Sequence, residues 1–178
     1  MEAVKEYYRT YEASGEFVEL HHVLTDTILG FHPSQVFEFG CGVGKNLLAL
    51  LRQSDKVNEA VGIDISPKNI EKAVDNGMKK GHVLVGDESF LNGFSFQRFD
   101  VSFTCSVLDH IPEIEKIVNN LKRISKKAVI LAETNDIPGK YYFPHDYESL
   151  GFRKLNYKYA SPQDKSTYFI WIYSKITE

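Results

Sequence analysis

The sequence predicts an α/β fold: a doubly wound, mostly parallel seven-stranded sheet with helices on both faces and a C-terminal antiparallel β-hairpin. Short apolar segments typical of buried strands alternate with segments of helical periodicity along most of the 178 residues. A glycine-rich turn at 40–44 follows the first of these strands. Two segments rich in aromatic and β-branched residues, 152–160 and 166–176, close the chain as a predicted hairpin.

The first element is a helix at 16–30, where apolar residues recur near helical spacing and a glycine ends the segment. A second helix begins directly at the glycine turn. A third begins where Ser66 is suited to cap a helix and Pro67 to occupy its first position. The predicted helices are 16–30, 46–54, 67 to about 77 or 81, and 113–124. The predicted strands are 35–39, 59–64, 82–87, 98–106, 127–133, 152–160 and 166–176.

The strand ends locate the functional face before any motif is named. In doubly wound sheets the ligand binds outside the carboxyl ends of the strands, where the strand order reverses. The corresponding parts of this chain are Phe39–Gly44, Asp64, Asp87, Cys105–His110 and the residues from Glu133 onward.

Gly40, Gly42 and Gly44 have a spacing that excludes two common nucleotide sites. A P-loop requires G-x-x-x-x-G-K-[ST], but Lys45 is followed by Asn46 and no glycine lies five positions before Gly44. A dinucleotide fingerprint requires its third glycine five positions after the first, where this chain has Lys45. The spacing present is E-x-G-x-G-x-G, beginning at position 38.

This spacing resembles the first motif of the class I, Rossmann-like S-adenosylmethionine-dependent methyltransferases, and the resemblance covers nearly the whole chain. The segments that carry it are "EFGCGVGKN" (38–46), "VGIDIS" (61–66), "LVGDESF" (84–90) and "FDVSFTCSVLDHIP" (99–112). Glycines let such a turn pass close to a ligand without a side-chain clash. The resemblance implies S-adenosyl-L-methionine as the cofactor and S-adenosyl-L-homocysteine as its product.

The resemblance also implies which residues hold the cofactor. Asp64 is expected to accept hydrogen bonds from both ribose hydroxyls, an arrangement that suits a carboxylate. Asp87 and Glu88 are expected to face the adenine amino group, and Glu38 and the backbone around Cys105 the methionine end. The complete predicted set is Glu38, Gly40, Cys41, Gly42, Gly44, Asn46, Asp64, Ile65, Asp87, Glu88, Cys105 and Ser106.

Two histidines are candidates for a catalytic base. His110 follows the fourth strand in "VLDHIP", and a supporting role is the alternative to a base. A further alternative is that His110 or Asp109 caps a helix that begins near Pro112. His145 follows the fifth strand, where an imidazole is able to take a proton near neutral pH, and an exposed loop histidine is the alternative. No spacing among the six histidines predicts a metal site.

Tyrosines in two segments are predicted to bind the substrate, because both segments often fold over the cofactor in the family that the chain resembles. These tyrosines are Tyr7, Tyr8, Tyr11, Tyr141 and Tyr142, with Phe143 and Tyr147 in the same aromatic loop. Packing into the core is the alternative. The whole of 1–178 is expected to form one methyltransferase domain, with 1–32 as a helical cap and 33–178 as the Rossmann-like core.

Composition excludes several classes of function. A formal net charge of -3 predicts no nucleic-acid or anionic-membrane surface, and no segment is long enough to span a bilayer. Cys41 and Cys105 alone do not suggest a disulfide framework, which predicts a cytoplasmic location. The basic residues at 122–127 are interpreted as a solvated helix end. A homodimer is left open.

Together these observations predict methyl transfer from S-adenosylmethionine to an oxygen or nitrogen of a small-molecule acceptor, with a sugar or sugar-derived metabolite as the suggested class. The alternative is a non-catalytic methyltransferase-like module that acts through a protein partner. A nicotinamide-dependent reductase is disfavoured by Lys45 and by the lack of a Tyr-x-x-x-Lys pair.

Overall fold

The computed structural model describes residues 5–6, 18–134, 142–161 and 166–175, which form a seven-stranded sheet flanked by helices. The helices are α1 (Val18–Leu29), α2 (Lys45–Gln53), α3 (Pro67–Asp75) and α4 (Glu115–Ile124). The strands are β1 (Gln35–Phe39), β2 (Glu59–Asp64), β3 (Val83–Val85), β4 (Phe99–Cys105), β5 (Ser125–Thr134), β6 (Arg153–Ala160) and β7 (Thr167–Ser174). Short 3₁₀-helices, Glu88–Gly93 and Leu108–His110, follow β3 and β4.

The strands lie in the order β3-β2-β1-β4-β5-β7-β6. β1 to β5 pair in parallel, and β7 pairs antiparallel with both β5 and β6. The order reverses between β1 and β4, which are direct neighbours, so the ligand-binding crevice typical of doubly wound sheets is expected at their carboxyl ends. The predicted fold class, including the closing antiparallel hairpin, is confirmed.

Each face of the sheet has its own apolar core because successive side chains of a strand point to opposite faces. Val36 packs on the face covered by α1, α2 and α3, whereas its neighbour Phe37 packs on the face covered by α4. The central strands are therefore apolar on both sides, as expected for parallel strands between two helical layers. Among the described residues, none of the helices combines the length and apolar character needed to cross a membrane.

Most elements begin or end one or two residues away from the sequence prediction, and β5 begins at Ser125 instead of 127. α3 ends at Asp75 instead of Gly77 or Gly81, because Gly77 has a left-handed φ of 111° that cannot continue a helix. α4 begins at Glu115, two residues after the predicted start, and β3 is limited to Val83–Val85.

The basic end of α4 is not a simple solvated helix end, which corrects the sequence interpretation. Lys122 donates its ammonium to the backbone carbonyl of Leu150. Arg123 donates to the carbonyls of Leu91 and Phe94, each at 2.7 Å. These bonds join α4 to the segments before β4 and β6, at the edge of the sheet opposite the crevice.

Candidate active site

The glycine turn after β1 is closely packed and has a backbone that side chains rarely allow. Gly40 and Gly44 have φ values of 74° and 78°. A Cβ atom at Gly40 would lie 2.4 Å from Val107 Cγ2, and one at Gly44 would lie 2.7 Å from Met78 Cγ. The turn therefore fills the space between the turn after β4 and the segment after α3, and glycine is required at both positions.

Glu38, at the base of this turn, is a buried carboxylate in which one of the two oxygens accepts a hydrogen bond from another described residue. Its side chain is 1% exposed, and its Oε1 accepts a 2.7 Å hydrogen bond from Asn46 Nδ2. Among the described residues, Oε2 has no hydrogen-bond partner. Burial raises the pKa of Glu38 well above its usual range, although the bond from Asn46 opposes this. A cationic ligand group at Oε2 would offset that cost.

Asp64 closes β2 and holds the turn in place. Its Oδ2 accepts a 2.9 Å bond from the Gly42 N–H, and its Oδ1 accepts bonds from Ser66 N at 2.9 Å and Asn69 Nδ2 at 3.2 Å. Burial raises the pKa of Asp64. A carboxylate oxygen accepts two hydrogen bonds, so within the described structure Oδ2 retains one acceptor position for a ribose hydroxyl.

Asp87 and Glu88 follow β3 and meet the N-terminal segment. Lys5 Nζ lies 3.2 Å from Asp87 Oδ2 and 2.6 Å from Glu88 Oε1. Asp87 also caps the following 3₁₀-helix, since its Oδ1 accepts bonds from the Ser89 N–H and hydroxyl at 3.0 and 2.6 Å. The residues predicted to face adenine therefore both pair with Lys5. Lys5 was not among the predicted site residues.

The turn after β4 is attached to β5 by Glu133, which sequence reasoning missed as a site residue. Its Oε2 accepts the N–H groups of Val107 and Leu108 at 3.0 and 3.1 Å, and its Oε1 accepts the Thr104 hydroxyl at 2.6 Å. Burial raises the pKa of Glu133 to about 7. An acidic residue closing an otherwise apolar strand was the available signal.

The loop at 142–147 packs on the same turn and brings three predicted residues together. The His110 ring lies 4.7 Å from the Tyr142 ring, centroid to centroid. His145 Nε2 is 3.0 Å from the carbonyl oxygen of Leu108. His110 Nε2 lies 3.5 Å from Asp109 Oδ1. His110, Tyr142 and His145 thus all lie in or against the turn after β4.

Two interpretations of residues near this loop were wrong. Asp109 does not cap a helix: it is 2% exposed, and the N-cap position of α4 is Ile114, which makes no side-chain capping bond. Tyr147 is not part of a substrate wall, because it is fully buried with its ring 5.3 Å from that of Trp171. The core-packing alternative holds for this tyrosine.

All twelve predicted cofactor residues lie at the carboxyl ends of β1 to β4, in the turns that follow, or in the first turn of the next helix, and their contact with the cofactor stays a prediction. Cys41 and Cys105 are free, and burial raises the pKa of both thiols well above their usual range, which keeps them neutral. Over the described ranges, no group of three or more His, Cys, Asp or Glu side chains is placed to hold a metal ion. Tyr7, Tyr8, Tyr11 and Tyr141 lie outside the described residues.

Comparison with known proteins places this geometry in a family. A family model described as "Methyltransferase domain" matches residues 37–132, from within β1 to within β5. A ubiquinone biosynthesis O-methyltransferase of Pseudoalteromonas translucida (strain TAC 125) is 25% identical over 167 residues, covering 86% of this chain. The chain spans 66% of that relative's length, slightly less than two thirds.

Solved structures share the fold at low sequence identity. Magnesium protoporphyrin IX methyltransferase from Synechocystis PCC 6803, with bound SAH, superimposes with a TM-score of 0.71 at 17% identity, covering 98% of this chain and 99% of that one. The [4+2]-cyclase SpnF has a TM-score of 0.67 at 14% identity, covering 93% of this chain and 86% of that one.

The family match covers more than half of the chain and includes the glycine turn, the end of β2 and the turn after β4. It confirms both the predicted family and its cofactor, S-adenosylmethionine. The chain belongs to the class I S-adenosylmethionine-dependent methyltransferases.

Proposed function

We propose that this chain transfers a methyl group from S-adenosylmethionine to an oxygen or nitrogen of a small molecule, with a hydroxyl as the favoured acceptor. The observation that carries the proposal is the buried Glu38 carboxylate, whose Oε2 lacks a partner among the described residues, beside the three-glycine turn. The O-methyltransferase name of the curated relative favours an oxygen acceptor. None of the compared proteins described above is named for a sugar substrate, so a sugar is not part of the proposal.

The residues present fit the cofactor at three points. Glu38 Oε2 is suited to accept from the ammonium of the methionine end, since a buried charge needs a partner. Asp64 Oδ2 is suited to accept from the ribose, and Asp87 lies at the end of β3 for the adenine amino group. When bound, the cofactor supplies a methyl carbon activated by a sulfonium. The protein therefore has to align the acceptor, exclude water and remove a proton.

Two imidazoles are available for proton removal on the acceptor side. The contact between His145 Nε2 and the Leu108 carbonyl fixes the proton of the neutral ring on Nε2, so Nδ1 is the basic nitrogen. His110 Nε2 lies 3.5 Å from Asp109 Oδ1, which would stabilise the imidazolium formed when His110 takes a proton. Tyr142 supplies an aromatic wall beside His110.

We further propose that 1–178 forms a single domain in which the N-terminal segment covers the adenosine half of the site. The ion pairs between Lys5 and the two carboxylates after β3 support this arrangement. Tyr7, Tyr8 and Tyr11 follow this lysine in the sequence and are proposed to bind the substrate.

Calorimetric titration with S-adenosylmethionine, S-adenosylhomocysteine and NADH tests the proposal, followed by an acceptor screen. Micromolar binding of the first two ligands without NADH binding is expected. The screen would compare small phenols, other hydroxyl compounds and amines. Mass spectrometry would detect the addition of one CH₂ group to the acceptor. Methylation of no acceptor, despite cofactor binding, would contradict an enzymatic role.

A non-catalytic or differently catalytic role is the second candidate. The observation that favours it is the [4+2]-cyclase with the same fold, whose name gives a reaction other than methyl transfer. Cofactor binding without turnover, together with recovery of a specific protein partner, would select this alternative.

A further inference from the structure

A hydrogen-bonded series of three side chains joins α1 to the base of the glycine turn. His21 Nδ1 in α1 lies 2.5 Å from Asn46 Oδ1, and Asn46 Nδ2 lies 2.7 Å from Glu38 Oε1. Asn46 is 6% exposed and Glu38 is 1% exposed. These hydrogen bonds therefore run through the interior, from a helix that precedes the sheet to the Glu38 carboxylate at the base of the glycine turn.

The chemistry of the three groups fixes which atom donates and which accepts in each of these hydrogen bonds. With the ligand's ammonium beside it, Glu38 is ionised and only accepts hydrogen bonds, so the amide nitrogen of Asn46 has to face it, as the 2.7 Å bond shows. The amide oxygen of Asn46 then faces His21, and His21 Nδ1 has to carry the proton that it donates. This leaves Glu38 Oε1 occupied and Oε2 without a hydrogen-bond partner among the described residues.

The donor at His21 is what prevents the Asn46 amide from rotating. With Nδ1–H in place, a rotated amide would present its NH₂ group to another donor and its oxygen to a carboxylate. Without His21, its side of the Asn46 amide no longer favours one orientation over the other. Glu38 then loses a donor, Asn46 Nδ2, that is held in one position.

The charge state of His21 suits this role. Burial lowers the pKa of His21, and the nearby positive charges of Lys45 and His22 lower it further, while the bond to Asn46 opposes them. The ring is therefore neutral near pH 7 and adds no cation beside the site for the ligand's ammonium.

We propose that His21 is a positioning residue for the amino-acid end of the cofactor: through Asn46 it fixes the Glu38 carboxylate, so that Oε2 meets the ligand's ammonium. This inference rests on the proposed function only in taking Glu38 as the acceptor for that ammonium.

The test compares two ligands that differ only at that end of the molecule. S-adenosylhomocysteine carries the amino-acid group, and 5′-methylthioadenosine keeps the adenosine and the sulfur without it. By calorimetry, His21→Ala is expected to weaken S-adenosylhomocysteine binding about tenfold, which is the scale of one hydrogen bond to a charged group. The same variant is expected to change 5′-methylthioadenosine binding less than about twofold.

Three further variants make the result specific. His21→Asn places an amide nitrogen near the position of Nδ1 and is expected to restore most of the affinity. His21→Leu fills the space without a donor, so it should repeat the loss if His21→Ala does not fold. His22→Ala changes the exposed neighbour on the same helix and should bind both ligands as the wild type does.

The possible outcomes separate the inference from the proposed function. Equal losses for both ligands, or none for either, would overturn the role of His21 while leaving the cofactor site intact. A wild-type protein that binds 5′-methylthioadenosine as tightly as S-adenosylhomocysteine would show that Glu38 does not meet the ammonium, which overturns the inference. A wild-type protein that binds neither ligand would overturn both.

Discussion

The backbone N–H of Gly42 donates a 2.9 Å hydrogen bond to Oδ2 of Asp64, which joins the glycine turn after β1 to the end of β2. The same carboxylate accepts the N–H of Ser66, the residue that caps α3. One side chain thus sets the shape of the glycine turn, orients the start of a helix and lies where the ribose is expected. Loss of this carboxylate should affect cofactor binding more than a typical surface substitution would.

Asp64→Ala is expected to weaken S-adenosylhomocysteine binding by roughly 30-fold or more, because both the ribose acceptor and the support of Gly42 are removed. Calorimetric titration measures the change. Asp75→Ala, which removes an exposed carboxylate at the end of α3, is the matched control and should bind normally. Wild-type affinity in Asp64→Ala would show that the carboxylate closing β2 does not hold the ribose.

His145→Ala is expected to lower kcat about 100-fold, the lower end of what a general base contributes, and to leave cofactor affinity within about twofold. Steady-state kinetics with an acceptor found in the screen, combined with calorimetry, separates the two effects. His32→Ala, an exposed histidine before β1, serves as the control. If His145→Ala instead abolishes cofactor binding, the loop at 142–147 is a cofactor lid and not an acceptor wall.

Glu133 is expected to make the protein less stable as the pH rises towards neutrality. Burial raises its pKa to about 7 in the folded state from an unfolded value near 4.5, so the folded state binds the proton more tightly. Its contribution to the free energy of unfolding is complete below about pH 4.5 and is lost as the pH rises through about 7, by at most about 1.4 kcal/mol per pH unit.

Urea denaturation between about pH 5 and 8 checks this dependence by comparing the wild type with Glu133→Gln, which cannot ionise. The lowered pKa of His21 acts in the opposite direction below about pH 6.5, but it is common to both proteins and cancels in the difference. A difference between the two proteins that does not change with pH would show that Glu133 stays ionised in the folded state.

Gly40→Ala is expected to destabilise the protein by about 2–5 kcal/mol, which combines left-handed backbone strain with overpacking against Val107. Gly81→Ala is a matched control for the backbone alone, since Gly81 also has a positive φ of 89° but a Cβ there meets no atom within 4 Å. In urea denaturation, the free energy of unfolding of that control should fall by only about 1–2 kcal/mol. Equal losses in both variants would show that the turn after β4 moves aside without cost.

Patterns local in sequence accounted for the fold and for the glycine turn after β1. The alternation of apolar strands with helical segments predicted the sheet, and the spacing of Glu38, Gly40, Gly42 and Gly44 predicted which kind of turn follows β1. These predictions succeeded because strand and helix periodicity, and the need for glycine at left-handed positions, are properties of a few consecutive residues.

The contacts around the turn after β4 were predicted less completely because the residues that make them come from distant parts of the chain. Glu133 joins the turn after β4 to β5, and Tyr147 is in the core rather than at the surface. The acidic end of β5 was visible in the sequence, but the neighbouring sequence does not show which groups Glu133 binds or that Tyr147 is buried. The boundary of α3 also shifted, since a single left-handed glycine ended a helix whose periodicity continued beyond it.

The sequence by itself determined the fold class, the family and the positions of the residues after each strand. Only the tertiary structure decided which of those residues meet: His21 with Asn46, Lys5 with Glu88, and Glu133 with the backbone at Val107. The reason is physical. A strand or helix forms from local preferences, whereas the partner of a buried polar group is set by the packing that brings distant segments together and by the cost of leaving that group unpaired.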